Sequence, residues 1–169
     1  MSNVINKVIL DGQPLSALQV IEVARNYVPV DINDQAQDNI IAARKVIEKA
    51  LKGNDAVYGL NTGFGSLARQ RIDSKQLHEL QENLVRSHAV GVGEPLSQEV
   101  VRSMMLLLAA SLCRGHSGVR PVLVNMITEM LNKRVYPHVP SRGSVGASGD
   151  LAPMAHIAMV FMGEGEVLD

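Results

Sequence analysis

The sequence contains no tryptophan, only three tyrosines and two phenylalanines, and a single cysteine, Cys113. With aromatics at 3% there is no base-stacking platform for nucleic acid. One cysteine excludes an internal disulfide, and a reducing, cytoplasmic compartment fits it. An excess of one charge is also missing. Sixteen basic residues against seventeen acidic ones give a net charge of −1, which excludes nucleic-acid binding through an overall basic surface. The longest apolar run, Met104 to Ala110, falls far short of the ~20 residues that span a bilayer. No membrane partner is expected. Met1 to Leu10 lacks a basic segment followed by a long apolar stretch, so no secretory signal is expected either. Internal repeats and low-complexity tracts are absent.

What is present is a chain of 169 residues, 46% hydrophobic and 20% charged, enough for one globular region with a buried core over 1–169. Val4–Leu10 reads as a short strand closed by Asp11-Gly12. Ser16 is placed to cap a helix to about Tyr27, with Pro29 as its breaker. A second helix is expected from Asn33 to Leu51, with apolar positions at Ile40, Ala43, Val46, Ile47 and Ala50, stopped by Gly53 and Asn54. Asn54–Leu67 is a glycine-bearing loop. Asp73 with Gln76 starts a third helix, apolar at Leu77, Leu80, Leu84 and Val85, ending near Ala89. Ser97 caps a fourth, whose residues 100–113 are apolar nearly all round and therefore central. Gly115 ends it. Pro121 opens a helix to about Lys133, and Val135–Pro140 must be extended because residues preceding proline avoid the helical region. Pro153 lies near the start of a last, strongly apolar helix ending at Gly163. The fold class is mainly α, with glycine-rich loops and minor extended segments.

The stretch Gly143-Ser144-Val145-Gly146-Ala147-Ser148-Gly149 admits several readings. A phosphate loop needs Lys and Ser/Thr after its last glycine, and Asp150 follows instead. A dinucleotide loop needs G-x-G-x-x-G after a strand, and this is G-x-x-G-x-x-G after prolines. A nucleophile elbow needs G-x-S-x-G. A plain flexible loop before a helix also fits the composition. A further reading is self-cyclisation. The Gly149 amide nitrogen attacks the Ala147 carbonyl carbon, and loss of two waters, one from ring closure and one from the Ser148 side chain, leaves an electrophilic exocyclic methylidene. Glycine at 149 puts no Cβ in the way of its nitrogen. The N-terminus of the next helix adds positive partial charge beside the ring.

Ala147-Ser148-Gly149-Asp150-Leu151-Ala152-Pro153 resembles the signature of the aromatic amino acid ammonia-lyases, which make the methylidene-imidazolone (MIO) group from such a triad. Three more segments agree, in the right order: Tyr58-Gly59-Leu60-Asn61-Thr62-Gly63-Phe64-Gly65, Asn83-Leu84-Val85-Arg86-Ser87-His88-Ala89, and Arg114-Gly115-His116-Ser117-Gly118-Val119-Arg120-Pro121. The resemblance covers nearly the whole chain. It implies a helical bundle, an amino acid substrate, MIO as the only cofactor without metal or nucleotide, and a homotetramer.

By that resemblance Tyr58 is the base that takes the β-proton of the substrate. A phenol is a poor base near neutral pH and needs positive surroundings for this work. The plain alternative is a turn aromatic anchoring its loop. Gly65 lines the pocket, Leu151 belongs with the substrate-binding residues, and Asp150 adjoins the ring precursor formed by Ala147, Ser148 and Gly149. Asn61 helps hold the tyrosine loop. The pair Ser87-His88 is similar to that of the histidine-specific members, whereas phenylalanine enzymes carry an apolar pair and tyrosine enzymes His-Leu. His88 would then bind the substrate imidazole, and the reaction would be L-histidine to urocanate and ammonia. Its plain alternative is a histidine at a helix C-terminus.

His78, His116, His138 and His156 show no metal-ligand spacing and read as surface, turn or core residues. Arg102, Arg114 and Arg120 carry the fork that binds carboxylates, but structural pairing is the expectation for them. Arg142 stays open between the two. The family's subunits are much longer and draw an Asn, a Gln/Tyr/Arg cluster and a Glu from later segments. The chain is therefore expected to be an amino-terminal portion. The rival readings are a phenylalanine or tyrosine lyase or aminomutase of the same family, and a helical fragment that assembles with a partner.

Overall fold

The computed structural model describes residues 5–53, 55–63, 69–144 and 151–168. In chain order they form β1 (Val8–Leu10), α1 (Ala17–Asn26), β2 (Val30–Ile32), α2 (Asp34–Lys52), α3 (Ser74–His88), β3 (Val92–Pro95), α4 (Gln98–Cys113), α5 (Pro121–Lys133), β4 (Tyr136–Pro137), β5 (Pro140–Arg142), α6 (Leu151–Phe161) and β6 (Val167–Leu168). The strands make three two-stranded ladders: β1 parallel to β2, β3 antiparallel to β5, and β4 antiparallel to β6. The architecture is helical, as composition and periodicity predict.

The helix ends follow local chemistry. Ser16 and Gln19 form a reciprocal capping box at the start of α1. The stop comes earlier than Pro29. Tyr27 adopts the left-handed conformation at φ 57°, and Val28 N–H closes back on the Glu22 carbonyl. Asn33 caps α2 by accepting from Ala36 N–H at 2.8 Å. Pro121 opens α5 in its first turn. Ser97 stands at the N-cap of α4, but its hydroxyl makes no capping bond. The first turn of α4 is tied down instead by Glu99, whose carboxylate takes Arg25 Nε at 2.7 Å.

α4 is the central helix. Val101, Met105, Leu106, Ala109, Leu112 and Cys113 are buried along it, against α1, α2 and α5. Each fully buried aliphatic side chain there contributes about 1.5–3 kcal/mol. α5 presents Val124, Ile127, Thr128 and Leu131, one stripe at helical spacing. Arg102 is the exception within this core, only 1% exposed. Its Nε and Nη2 donate to the Val23 carbonyl at 3.0 and 2.6 Å. Its Nη1 donates to the Leu131 carbonyl and to Tyr136 Oη. The guanidinium also lies over the Tyr27 ring, 4.5 Å from its centre. A buried cation is tolerated here because its hydrogen bonds are met.

Two readings need adjustment. The strand is Val8–Leu10, because only these residues meet partners on β2; Val4 lies outside the described residues. In α2 the expected apolar stripe does not hold along its length. Ala36 and Ile40 are buried, whereas Val46 is 67% exposed. Ile47 instead faces Gly118, whose missing Cβ leaves it room. Asn54 lies outside the described residues.

Candidate active site

The tyrosine loop is built around Asn61. Its Oδ1 accepts from Val57 N–H at 2.7 Å, and its Nδ2 donates to the Asp55 carbonyl at 2.9 Å. Its own carbonyl accepts from Ile72 N–H at 2.8 Å. Asn61 is 3% exposed, so these bonds are shielded from water. Thr62, also buried, bridges to Arg71 on the returning strand-like segment. Gly59 takes φ +74°, which the turn 57–60 requires. The turn carries Tyr58 at its tip, 66% exposed. A rigid base thus presents a phenol outward. Gly65 lies outside the described residues.

Ser87 and His88 occupy the last turn of α3, where backbone carbonyls lack helical partners. His88 Nδ1 lies 2.8 Å from the Leu84 carbonyl, and Ser87 Oγ donates to the same carbonyl at 2.9 Å. A carbonyl only accepts, so Nδ1 carries the proton in this bond. In the neutral ring Nε2 is then an acceptor. Ser87 Oγ stands 3.1 Å from Nδ1 and steadies the ring. Arg86 anchors the same turn: Nε and Nη2 grip both carboxylate oxygens of Glu164, beyond α6. The hydrogen bond from Arg86 holds the Glu164 carboxyl below its ordinary range, with burial opposing it.

The segment containing the triad is anchored at both ends. Antiparallel β3 and β5 pair Val92 with Arg142 and Pro95 with Pro140. This delivers Gly143 against α6. A Cβ on Gly143 would sit 3.0 Å from Ala152 Cβ, 3.3 Å from Gly91 Cα and 3.6 Å from Pro153 Cδ. Residues 143 and 152 therefore abut. This approach of the flanking residues fits the MIO group that the Ala147-Ser148-Gly149 sequence implies. Ala147, Ser148, Gly149 and Asp150 themselves lie outside the described residues. α6 begins at Leu151, two positions past Gly149, with that side chain 51% exposed. Gly91 is three residues beyond His88, so the end of α3 and the base of the triad segment meet at one junction.

Other candidates resolve plainly. Arg102 is committed to the core and is no carboxylate ligand. Arg142 is exposed on β5. Among the described residues no cluster of three His, Cys, Asp or Glu side chains is arranged to hold a metal ion. Cys113 is buried, and burial followed by the nearby Asp11 pushes its thiol up to about 11. Two features were missed from sequence. Arg86 meets Glu164 across 78 residues, although its i,i+4 partner Glu82 was readable. His156 Nε2 accepts from Gly91 N–H at 3.0 Å, a bond for which the sequence carries no signal.

Comparison with known proteins gives a consistent picture. Residues 15–169 match the family described as aromatic amino acid lyase. The chain is 50% identical over 157 residues to a histidine ammonia-lyase of Stigmatella aurantiaca, covering 93% of this chain and 31% of that protein. The crystal structure of histidine ammonia-lyase from Trypanosoma cruzi superposes with a TM-score of 0.85 at 40% identity, over 95% of this chain and 30% of that one. A tyrosine aminomutase from Streptomyces globisporus superposes at 0.89 with 34% identity, over 96% of this chain and 30% of that one. The chain thus spans about a third of the length of the relatives it matches.

Proposed function

The chain belongs to the aromatic amino acid lyase family, and from that premise we propose that it supplies the amino-terminal part of a histidine ammonia-lyase. The reaction is the non-oxidative elimination of ammonia from L-histidine to give urocanate. The observation that carries the choice of histidine is the Ser87-His88 turn. With Nδ1 held by the Leu84 carbonyl, His88 offers Nε2 as an acceptor for an N–H of the substrate imidazole. An apolar ring would leave that acceptor unpaired, which costs binding.

MIO, formed from Ala147, Ser148 and Gly149, supplies the electrophile that ordinary side chains lack. The chain's own side chains and backbone divide the remaining work. Tyr58, on a turn held by Asn61, takes the β-proton at its phenolic oxygen. Ser87 and His88 orient the imidazole. Gly65 and Leu151 line the pocket, and Asp150 adjoins the precursor. The proposal extends to a cytoplasmic homotetramer in which later segments complete each site.

A second reading, an aminomutase or a phenylalanine or tyrosine lyase, is favoured by one observation: the fold matches a tyrosine aminomutase as closely as a histidine ammonia-lyase. The test is turnover of histidine, tyrosine and phenylalanine by the complete polypeptide carrying this chain, with products separated by chromatography. Urocanate as the dominant product supports the first reading. Equal or faster conversion of phenylalanine, or a β-amino acid product, replaces it with the second.

A further inference from the structure

The junction at Gly91 carries an inference about His156, a residue so far without a role. Gly91 is wedged between two neighbours. A Cβ there would meet His156 Nε2 at 3.0 Å and Pro140 Cβ at 3.2 Å. On its other side lies Gly143, close enough that a Cβ on Gly143 would approach Gly91 Cα at 3.3 Å. The Gly91 N–H points at His156 Nε2, 3.0 Å away. A backbone N–H only donates, so Nε2 carries a lone pair and the ring is neutral with its proton on Nδ1. His156 is the sixth residue of the helix that follows the triad, and Gly91 sits three residues past His88. One hydrogen bond therefore joins the helix behind the triad to the exit of the helix bearing His88.

The surroundings favour the neutral ring. His156 is half-buried beside a cavity of about 360 Å³ lined also by His138, Glu164 and Glu166. Burial, and secondarily the nearby His138, lower its pKa below the ordinary histidine value. Glu164 is engaged by Arg86 of α3. Glu166 Oε2 lies 3.9 Å from His138 Nδ1. β5 contributes the exposed Arg142.

We propose that His156 is a positioning residue: by accepting the Gly91 amide proton on Nε2 it fixes the exit of α3 against Gly143, and so sets both the imidazole-recognising turn and the entry to the triad from which MIO forms. The inference rests on the lyase reading above. Protonation of the ring removes the acceptor, so the bond is present above the ordinary histidine range and is lost as pH falls through the lowered value.

The test compares His156→Leu, which removes the acceptor, with His156→Gln, whose Oε1 can accept in its place, in the complete polypeptide. Three readouts are taken: intact mass, kcat and KM for histidine, and hydrogen exchange at Gly91 across pH. For His156→Leu the expected result is a reduced fraction of chains lighter by two waters and a loss of roughly tenfold in kcat/KM, with KM raised. His156→Gln stays near wild type in both. Gly91 protection falls in acid for wild type but not for His156→Gln. The inference is overturned if His156→Leu matches wild type, or if both variants are equally impaired, since ring packing would then be what matters. If His156→Leu fails to fold, the exchange comparison decides, and an identical pH response in wild type and His156→Gln overturns the inference. Failure of the lyase reading looks different: wild-type protein neither loses water from the triad nor converts histidine, while Gly91 protection still follows His156.

Discussion

Replacing Asn61 with alanine gives the sharpest test of how the tyrosine loop is held. The substitution removes two side-chain hydrogen bonds, to Val57 N–H and the Asp55 carbonyl, and leaves the backbone bond from Ile72 N–H in place. At about 0.5–1.5 kcal/mol each, the lost bonds amount to roughly 1–3 kcal/mol of local stability. Opening of the turn then becomes about 5–150 times more frequent, at ~1.4 kcal/mol per factor of ten. Native-state hydrogen exchange reads this directly. The Val57 amide loses protection by that factor, while the Val30 amide, held by Asn132 Oδ1 at 2.9 Å, serves as an unaffected reference. Global unfolding shifts less, because the turn opens without the core. If Tyr58 has its proposed role, kcat of the complete polypeptide falls with the loss of its fixed position, and KM changes little. Asn61→Asp separates the two bonds, since a carboxylate keeps the acceptor for Val57 but faces the Asp55 carbonyl with a like charge. Unchanged exchange at Val57 together with unchanged kcat in Asn61→Ala would refute the account of this loop.

Three further outcomes are expected. Arg102→Met leaves the Val23 and Leu131 carbonyls and Tyr136 Oη without their donor and should lower the free energy of unfolding by roughly 3–5 kcal/mol, read from urea titration; an unchanged midpoint contradicts it. Gly143→Ala drives a methyl to 3.0 Å from Ala152 Cβ, so the junction must spread, and intact mass should show less loss of water across Ala147–Gly149 than in the parent protein. Cys113 should resist a thiol reagent at mildly alkaline pH in the folded protein and react at once in denaturant, because its thiol is buried and titrates near 11; rapid labelling of the native protein counts against this packing.

Much of the helical framework was legible because it depends on chemistry within a turn or two. Ser16, Asn33 and Pro121 start helices where local hydrogen bonding and backbone geometry demand it. The strongly apolar character of 100–113 put α4 at the centre, although Val100 and Leu107 stay 42% and 52% exposed. The four motifs in order identified the family without any coordinates. Ser97 and Val46 mark the limit of that reasoning. Ser97 stands at the N-cap of α4 in extended backbone, yet its hydroxyl makes no capping bond. A stripe stays buried only as far as neighbours extend along it, and at Val46 they do not.

Tertiary structure alone decided which groups meet. Structural pairing was the expectation for Arg102, but its partners Val23, Leu131 and Tyr136 lie 29 to 79 residues away and only packing named them. The tautomer of His88 follows from a carbonyl one turn back, but its meaning comes from Gly91 and Gly143 meeting beside it. His156 looked like an ordinary helix residue, and its acceptor role exists only because packing brings Gly91 to it across 65 residues. The sequence by itself determined the helices, their ends and the chemistry available, because those are set by neighbours along the chain. The assignment of that chemistry to places was left to packing, because a hydrogen bond's partner is chosen by distance in space, and sequence separation does not encode it.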